Sequence, residues 1–180
     1  MTRTVRTFLR RFRRDEDGAA PVIEFVIMFP LLMFLLLSAF ELSIYAFRQN
    51  WLDRGMDLAV RDVRLNTGAN YTHTQVKNLI CQNAGFLQDC NSHLKLEMQP
   101  VDPRGFVAFA GSADCVDTSQ PLAPSRAFVH GQEHQLMILR ACYLYDPVFP
   151  GIGMGKAMTE NGNQYYPLIA VSVFVQEPNS

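Results

Sequence analysis

Positive charge is scarce in most of this sequence. The 180 residues contain 16 lysines and arginines, and six of the arginines lie within residues 1–17, together with three carboxylates. A protein that follows the phosphate backbone of a nucleic acid needs a dense group of cations on its surface. Because the chain after residue 17 is mildly acidic, we expect no nucleic-acid partner.

Motifs of catalysis are also lacking. The chain contains no Gly-x-Ser-x-Gly elbow, no His-Glu-x-x-His zincin motif and no Cys-x-x-Cys pair, which are signatures of hydrolases, metalloproteases and redox proteins. Residues 151–156 are rich in glycine but lack the spacing and the Ser or Thr of a phosphate-binding loop. His130 and His134 lie in a segment predicted to lead from a loop into a strand, which favours a solvated pair. We therefore expect no catalytic residue, cofactor, metal or small-molecule substrate.

One long apolar run dominates what is present. Residues 25–40 carry no charge, and the run extends over residues 19–40 if Glu24 is tolerated within it. At about 1.5 Å per residue such a helix covers about 30 Å, the thickness of the hydrocarbon core of a bilayer. The run shows no polar stripe, which a buried helix of a soluble protein would have. It predicts a transmembrane helix, which we assign to residues 19–47.

The charges on either side of this run predict its orientation. The arginines of residues 1–18 precede it, whereas basic and acidic residues are balanced beyond it. Cytoplasmic segments next to a membrane helix carry the excess of Lys and Arg. We expect residues 1–18 to be a cytoplasmic leader and residues 48–180 to lie in the periplasm, anchored in the bacterial inner membrane. A signal peptide cleaved near Ala39 is the alternative, but the run exceeds the usual length of about 7–15 residues.

Two residues are unusual for a plain membrane anchor. Glu24 lies within the apolar run, where a carboxylate usually needs a polar partner or access to water. It is either an interfacial residue that reaches the cytoplasmic surface or a residue that neutralises a positive group on a neighbouring subunit. Pro30 removes a backbone hydrogen bond and should kink or loosen the helix.

The order of these features resembles a known family. A basic leader ending in Arg-Arg-Asp-Glu-Asp-Gly-Ala-Ala at residues 13–20 is followed by Val22-Ile-Glu-Phe, then by Pro30, a leucine-rich run and Glu41. This pattern resembles the TadE-like pilus-assembly proteins of bacterial tight-adherence (Flp pilus) systems over about residues 10–66. Residues 140–145 and the segment that ends at Pro178 also look like this family's C-terminal half.

The resemblance implies a pilin-like protein of the α+β class, in which a long N-terminal helix, membrane-spanning in its first half, packs on a small antiparallel sheet. It implies a minor pilin or pseudopilin of the inner membrane whose partners are other pilin-like subunits and assembly proteins. Some members are trimmed by a prepilin peptidase, for which Gly18 and Ala19 are the candidate positions. Cleavage after Gly18 would make Glu24 the sixth residue, whereas cleavage after Ala19 would restore the usual fifth position next to Pro21.

The part beyond the membrane is predicted to contain both helices and strands. Leu52, Met56, Ala59 and Val63 recur at helical spacing and form one apolar stripe, which packs either on the protein's own core or on another pilin-like subunit. A second helix is predicted at residues 74–84 and is closed by glycine. Alternating or β-branched runs predict strands at residues 94–98, 106–110, 135–145 and 165–175, separated by turn-rich segments.

The sequence contains four cysteines, and all of them follow the predicted transmembrane helix. An even number in an oxidising compartment predicts two disulfides. Short loops close most easily, which favours Cys81 with Cys90 and Cys115 with Cys142, although the spacing leaves all three pairings open.

Two other functions remain open at this level. A membrane-tethered periplasmic enzyme would assemble its site from residues that are distant in the sequence, and would show a polar pocket with perturbed ionisable groups. A pseudopilin of a type II secretion system would share the helix and the small sheet, but usually has its glutamate at the fifth residue after a glycine.

Overall fold

In the computed structural model, the described residues form four helices and three strands. The structure describes residues 20–66, 69, 71–105, 109, 113, 115, 128–159 and 165–178. The elements are α1 (Ala20–Leu65), α2 (His73–Asn83), α3 (Cys90–His93), β1 (Leu94–Pro100), β2 (Leu136–Tyr145), α4 (Gly153–Thr159) and β3 (Tyr166–Val175). The predicted α+β class, a long apolar N-terminal helix on a small antiparallel sheet, is confirmed.

Helix α1 has two halves with different surroundings. Its 46 residues make a rod of about 69 Å. Residues 21–40 are exposed or half-buried throughout, whereas the second half buries one continuous face. The predicted apolar stripe lies on that face, and its four residues are at most 2% exposed: Leu52, Met56, Ala59 and Val63. They contribute to the core of the same chain, which decides between the two predicted roles of the stripe.

Helix α2 packs across the second half of α1. It begins with a capping box, in which the Thr72 hydroxyl accepts from the Gln75 amide and the Gln75 side chain accepts from the Thr72 amide. The helices approach closely at Gly55, where a Cβ atom would lie 2.8 Å from both the Ala84 Cβ and the Ile80 carbonyl oxygen. Gly55 therefore costs helix propensity in α1 but permits this crossing.

The sheet is antiparallel with the strand order β1-β2-β3. The register places Leu96 opposite Ala141, and Ala141 opposite Ala170. The face that carries these three residues is buried towards the helices. We refer to the described residues from Tyr71 onwards, against which the second half of α1 packs, as the head. The strand limits differ by one or two residues from those predicted, and the strand predicted at residues 106–110 lies outside the described residues, apart from Phe109.

The opposite face of the sheet is covered at its central strand. There the Arg140 Nε atom donates to the Glu97 carboxylate over 2.6 Å, and both residues are buried. The Phe109 ring lies 4.3 Å from the Arg140 guanidinium carbon. Burial of β2 on both faces explains why its sequence is apolar at every position except Arg140, rather than alternating.

Two short helices were not predicted. Helix α3 follows the disulfide-bonded loop after α2, and α4 lies within a segment predicted to consist of turns. Glycine disfavours a helix interior by about 1 kcal/mol relative to alanine, so the Gly-rich sequence of α4 gives no local signal. Helix α4 instead packs against α1, where Gly153 contacts Ser38 and Gly155 approaches Glu41.

Candidate assembly site

The first half of α1 presents an apolar surface on all sides. An 18-residue window of this helix has a mean hydropathy of 2.5 and none of it is buried. Exposed side chains include Phe25, Val26, Leu31 and Leu35. Large exposed apolar surfaces on a single chain indicate contact with lipid or with another protein. This helix is long and apolar enough to cross a membrane once, as predicted.

Glu24 and Pro30 both lie in this exposed half. Glu24 is one helical turn beyond Ala20, the first described residue, and its side chain is exposed. Pro30 lies inside α1, which continues as a helix through it, so the predicted loosening produces no break. The candidate processing positions Gly18 and Ala19 lie outside the described residues.

The exposed half of α1 ends at a buried carboxylate. Glu41 is fully buried and begins the face of α1 that packs on the head. Its carboxylate accepts hydrogen bonds from the Tyr145 hydroxyl, from the Val148 amide at 3.1 Å and from the Phe149 amide at 2.9 Å. A buried carboxylate is expensive unless such partners satisfy it. These three bonds tie α1 to the end of β2 and to the loop that follows it.

Aromatic rings and one cation surround this carboxylate. The Tyr45 ring contacts the rings of Tyr145 and Tyr166 edge-on, at centroid distances of 6.2 Å and 5.8 Å. The Arg48 guanidinium carbon lies 4.9 Å from the Tyr145 ring centroid. Burial raises the pKa of the Tyr145 hydroxyl well above its usual value, and the hydrogen bond to Glu41 raises it further. Tyr145 therefore stays protonated and can donate to Glu41 at neutral pH.

The chain after β2 wraps around the end of the apolar half. The Phe149 ring lies 6.1 Å from the Phe40 ring. Gly153 has φ +59° and contacts the Ser38 side chain. At position 155 an added Cβ would collide with the Phe149 carbonyl group and lie 3.5 Å from the Glu41 carboxyl carbon. Glycine at 153 and 155 thus lets residues 147–159, the junction segment, pack closely on α1.

Two disulfides stabilise the head. Cys81 bonds Cys90 and Cys115 bonds Cys142, with Cα–Cα distances of 5.6 Å and 5.2 Å. The prediction of disulfides is confirmed, and the pairing is the one that short loop closure favoured. The first bond joins α2 to α3, and the second joins Cys115 to the central strand β2.

The described residues offer no catalytic or metal-binding grouping. Within them, no three His, Cys, Asp or Glu side chains lie together as metal ligands. Residues 130–134 read His-x-x-Glu-His, an order found in some metalloproteases, but they form loop and turn rather than the helix that such a motif requires. Residues 151–156 lead into α4, and two of their glycines, Gly153 and Gly155, serve close packing.

Two depressions in the head surface show no sign of acid–base chemistry. One is lined by residues around the Cys81–Cys90 disulfide, including Asp89, and the other by residues around Pro100 and His134. Among the described residues, burial shifts the pKa of seven groups that line neither depression: Tyr45, Asp53, Tyr71, His73, Lys77, Tyr143 and Tyr145. The described surface therefore gives no positive support for an enzyme.

Helix α1 is exposed and apolar in its first half and packs on the head in its second, which is the arrangement that the resemblance implies. Residues 18–61 match the TadE-like protein family. The resemblance predicted from the sequence is confirmed over these residues, which extend from the candidate processing position through the apolar half and most of the packed half of α1. TadE-like proteins are pilus-assembly components, not enzymes.

The other comparisons add no relatives. No curated protein and no solved structure matches the chain. The family match stops at residue 61, so the predicted likeness of the C-terminal part to TadE-like proteins stays a prediction.

Glu41 is a structurally important residue whose partners the sequence does not reveal, although it is part of the family pattern. A signal was present, since a carboxylate directly after Phe40 and before Leu42 interrupts an apolar run and must either reach water or find donors. The donors could not be named from the sequence, because they lie 104 to 108 residues away.

Proposed function

We propose that this chain is a minor pilin-like or pseudopilin-like subunit of a tight-adherence (Flp) pilus assembly system. The observation that carries the proposal is that α1 is divided in two within the TadE-like match. Residues 21–40 expose an apolar rod, and residues 41–60 bury one face against the head. A rod that is unpartnered in its own chain is suited to a bilayer or to the helices of neighbouring subunits.

In this proposal the chain is anchored in the inner membrane with its N-terminus in the cytoplasm. The arginines of residues 1–18 support that orientation through the positive-inside bias, and the disulfides of the head support an oxidising compartment such as the periplasm. We place the outer end of the span near Phe40 rather than at residue 47, because Glu41 is buried in the head. Alkylation of unreduced cells should leave all four cysteines unmodified.

Co-purification tests the assignment to a pilus system. The full chain, expressed in its native host from its own locus with a C-terminal tag, is extracted from membranes with mild detergent and isolated. We expect tight-adherence assembly proteins and other pilin-like subunits to accompany it. Recovery of type II secretion subunits would identify the alternative apparatus, and recovery of neither would contradict the proposal. A chain with the apolar rod disrupted by Leu32→Lys and Leu35→Lys is the matched control.

Glu24 has a specific role in this proposal. It neutralises a positive group on a neighbouring subunit within the membrane, as opposed to reaching the interface by itself. Its exposure in the isolated chain supports this role, because the side chain is available to a partner. A carboxylate within an apolar segment that gains such a partner would favour the assembled state over the free subunit.

A further inference from the structure

The junction segment carries an apolar surface of its own. Val148, Ile152 and Met154 are 46%, 41% and 38% exposed, although neighbouring atoms of the same segment are tightly packed on α1. Three large apolar side chains exposed within seven residues of sequence can mark a contact with lipid or with another protein.

The position of this surface indicates what it faces. Gly153 contacts Ser38, which lies two residues before Phe40, the last residue of the apolar run. Two residues of helix correspond to about 3 Å along the axis. The junction segment therefore reaches back past the end of the apolar run and lies beside the part of α1 that we assign to the membrane.

The charge of the segment fits a lipid surface. Between Pro147 and Thr159 the single charged residue is Lys156, and its side chain is exposed. Apolar side chains beside a lysine suit the interface of a bilayer with anionic lipids, and the two nearest carboxylates in the sequence, Asp146 and Glu160, lie just outside the segment at its two ends. The rings of Tyr45, Tyr145 and Tyr166 form a cluster beside the Glu41 carboxylate, which also binds the start of the segment.

The segment is also fixed in place. Its first turn is held by the hydrogen bonds from the Val148 and Phe149 amides to Glu41, and Gly155 packs over the same carboxylate. Because Glu41 directly follows the apolar run, these contacts fix the height of the loop relative to the membrane helix. The exposed apolar side chains cannot move away from the bilayer without breaking these bonds.

We propose that the junction segment is a second membrane contact, in which Val148, Ile152 and Met154 insert among the headgroups and upper acyl chains of the leaflet on the side of the head. This proposal rests on the proposed membrane span of α1. Two contacts, one through the helix and one through the loop, would fix the tilt of the head on the bilayer, whereas a single helix can tilt within the bilayer and carry the head with it.

Fluorescence quenching by lipid tests the contact. The full chain is reconstituted at one copy per nanodisc in phosphatidylethanolamine and phosphatidylglycerol, with or without dibrominated acyl chains. Tryptophan is introduced by Ile152→Trp in the junction segment, by Leu36→Trp in the span and by Leu65→Trp at the far end of α1. The signal of Trp51, the one natural tryptophan, is measured in the unsubstituted chain and subtracted. Met154→Trp provides a second probe if Ile152→Trp fails to fold.

We expect brominated lipid to quench the Ile152→Trp probe several-fold more than the Leu65→Trp probe, which lies about 37 Å beyond Phe40 along the helix. Strong quenching of Leu36→Trp without quenching of Ile152→Trp would overturn the loop contact while leaving the membrane span intact. Absence of quenching at both positions would overturn the span as well. Equal quenching at Ile152 and Leu65 would also overturn the proposal, since the head would then lie flat on the bilayer.

Discussion

The Tyr145 hydroxyl donates a hydrogen bond to the Glu41 carboxylate, and this bond joins two residues that are 104 positions apart in the chain. Both side chains are fully buried. The bond lies where the apolar half of α1 meets the head, so it connects the proposed membrane anchor to the end of the central strand. The stability of the junction should therefore depend on this pair.

Removal of the Tyr145 hydroxyl tests that dependence. Tyr145→Phe removes one of the three donors to the buried carboxylate and leaves the two backbone amides. We expect a loss of about 1–3 kcal/mol in the free energy of unfolding. Denaturant unfolding of the full chain in detergent, followed by circular dichroism, measures it. Tyr45→Phe is the control, because its described contacts with Tyr145 and Tyr166 are made by the ring, which phenylalanine keeps. Equal losses in the two variants would contradict the importance of the Glu41 bond.

The crossing of α1 and α2 makes Gly55 sensitive to a single methyl group. In an exposed helix Gly→Ala would gain up to about 1 kcal/mol, but here the new Cβ meets Ala84 and the Ile80 carbonyl, and overpacking costs about 1–3 kcal/mol. We expect Gly55→Ala to lower the thermal unfolding midpoint. Gly85→Ala is the control, because no atom lies within 4 Å of the added Cβ, and it should leave the midpoint nearly unchanged. A higher midpoint for Gly55→Ala would show that the two helices can move apart without cost.

His73 should make the head less stable in acid. Burial lowers the pKa of His73 below its usual value of 6.5, and the nearby charges of Lys77 and Lys95 lower it further. The unfolded chain therefore binds the proton at a higher pH than the native chain does, and the free energy of unfolding should fall as the pH decreases below 6.5 until the native pKa is reached. Unfolding midpoints measured across this range test the slope.

Two variants separate the His73 contribution from that of other groups. His73→Gln should reduce the slope, because the group that titrates is gone. Lys77→Gln should reduce it by a smaller amount, because burial, the larger cause, persists. A slope that is the same in all three proteins would show that other groups determine the acid sensitivity.

The two disulfides should differ in their contribution to stability. The loop-entropy relation gives about 3.5 kcal/mol for the 27-residue separation of Cys115 and Cys142 and about 2.6 kcal/mol for the 9-residue separation of Cys81 and Cys90. Replacing each pair by alanines should therefore destabilise the head more for the longer loop. Chemical unfolding of the two double variants checks the order, and the reverse order would show that contacts around Cys81 and Cys90 outweigh loop entropy.

Replacement of Glu24 separates assembly from stability. Glu24→Gln should abolish pilus assembly while leaving protein level and membrane location unchanged, because the side chain is exposed and makes no contribution to the core. Pilus yield, immunoblotting and membrane fractionation measure these quantities. Glu24→Asp should retain assembly in part, and Glu41→Gln should instead lower the protein level, because it disturbs the buried junction. Normal assembly with Glu24→Gln would leave Glu24 as an interfacial residue that reaches water.

The sequence by itself determined the elements that local pattern can specify. The apolar run, the stripe from Leu52 to Val63, the helix before Gly85 and the three described strands follow from periodicity and from turn residues, and each lies within a few residues of its predicted place. The TadE-like match also falls on the segment whose motifs are contiguous. These features depend on interactions between near neighbours, so a linear reading captures them.

Only the tertiary structure decided how the anchor is attached to the head. The donors to Glu41 lie more than a hundred residues away, and nothing in the sequence near Glu41 names them. Helix α4 forms in a Gly-rich segment because close contact with Ser38 and Glu41 requires small residues there, which outweighs the poor helix propensity of glycine. A buried carboxylate whose donors are distant in the chain leaves no periodic pattern in the sequence. The junction between α1 and the head can therefore be recognised only in the folded structure.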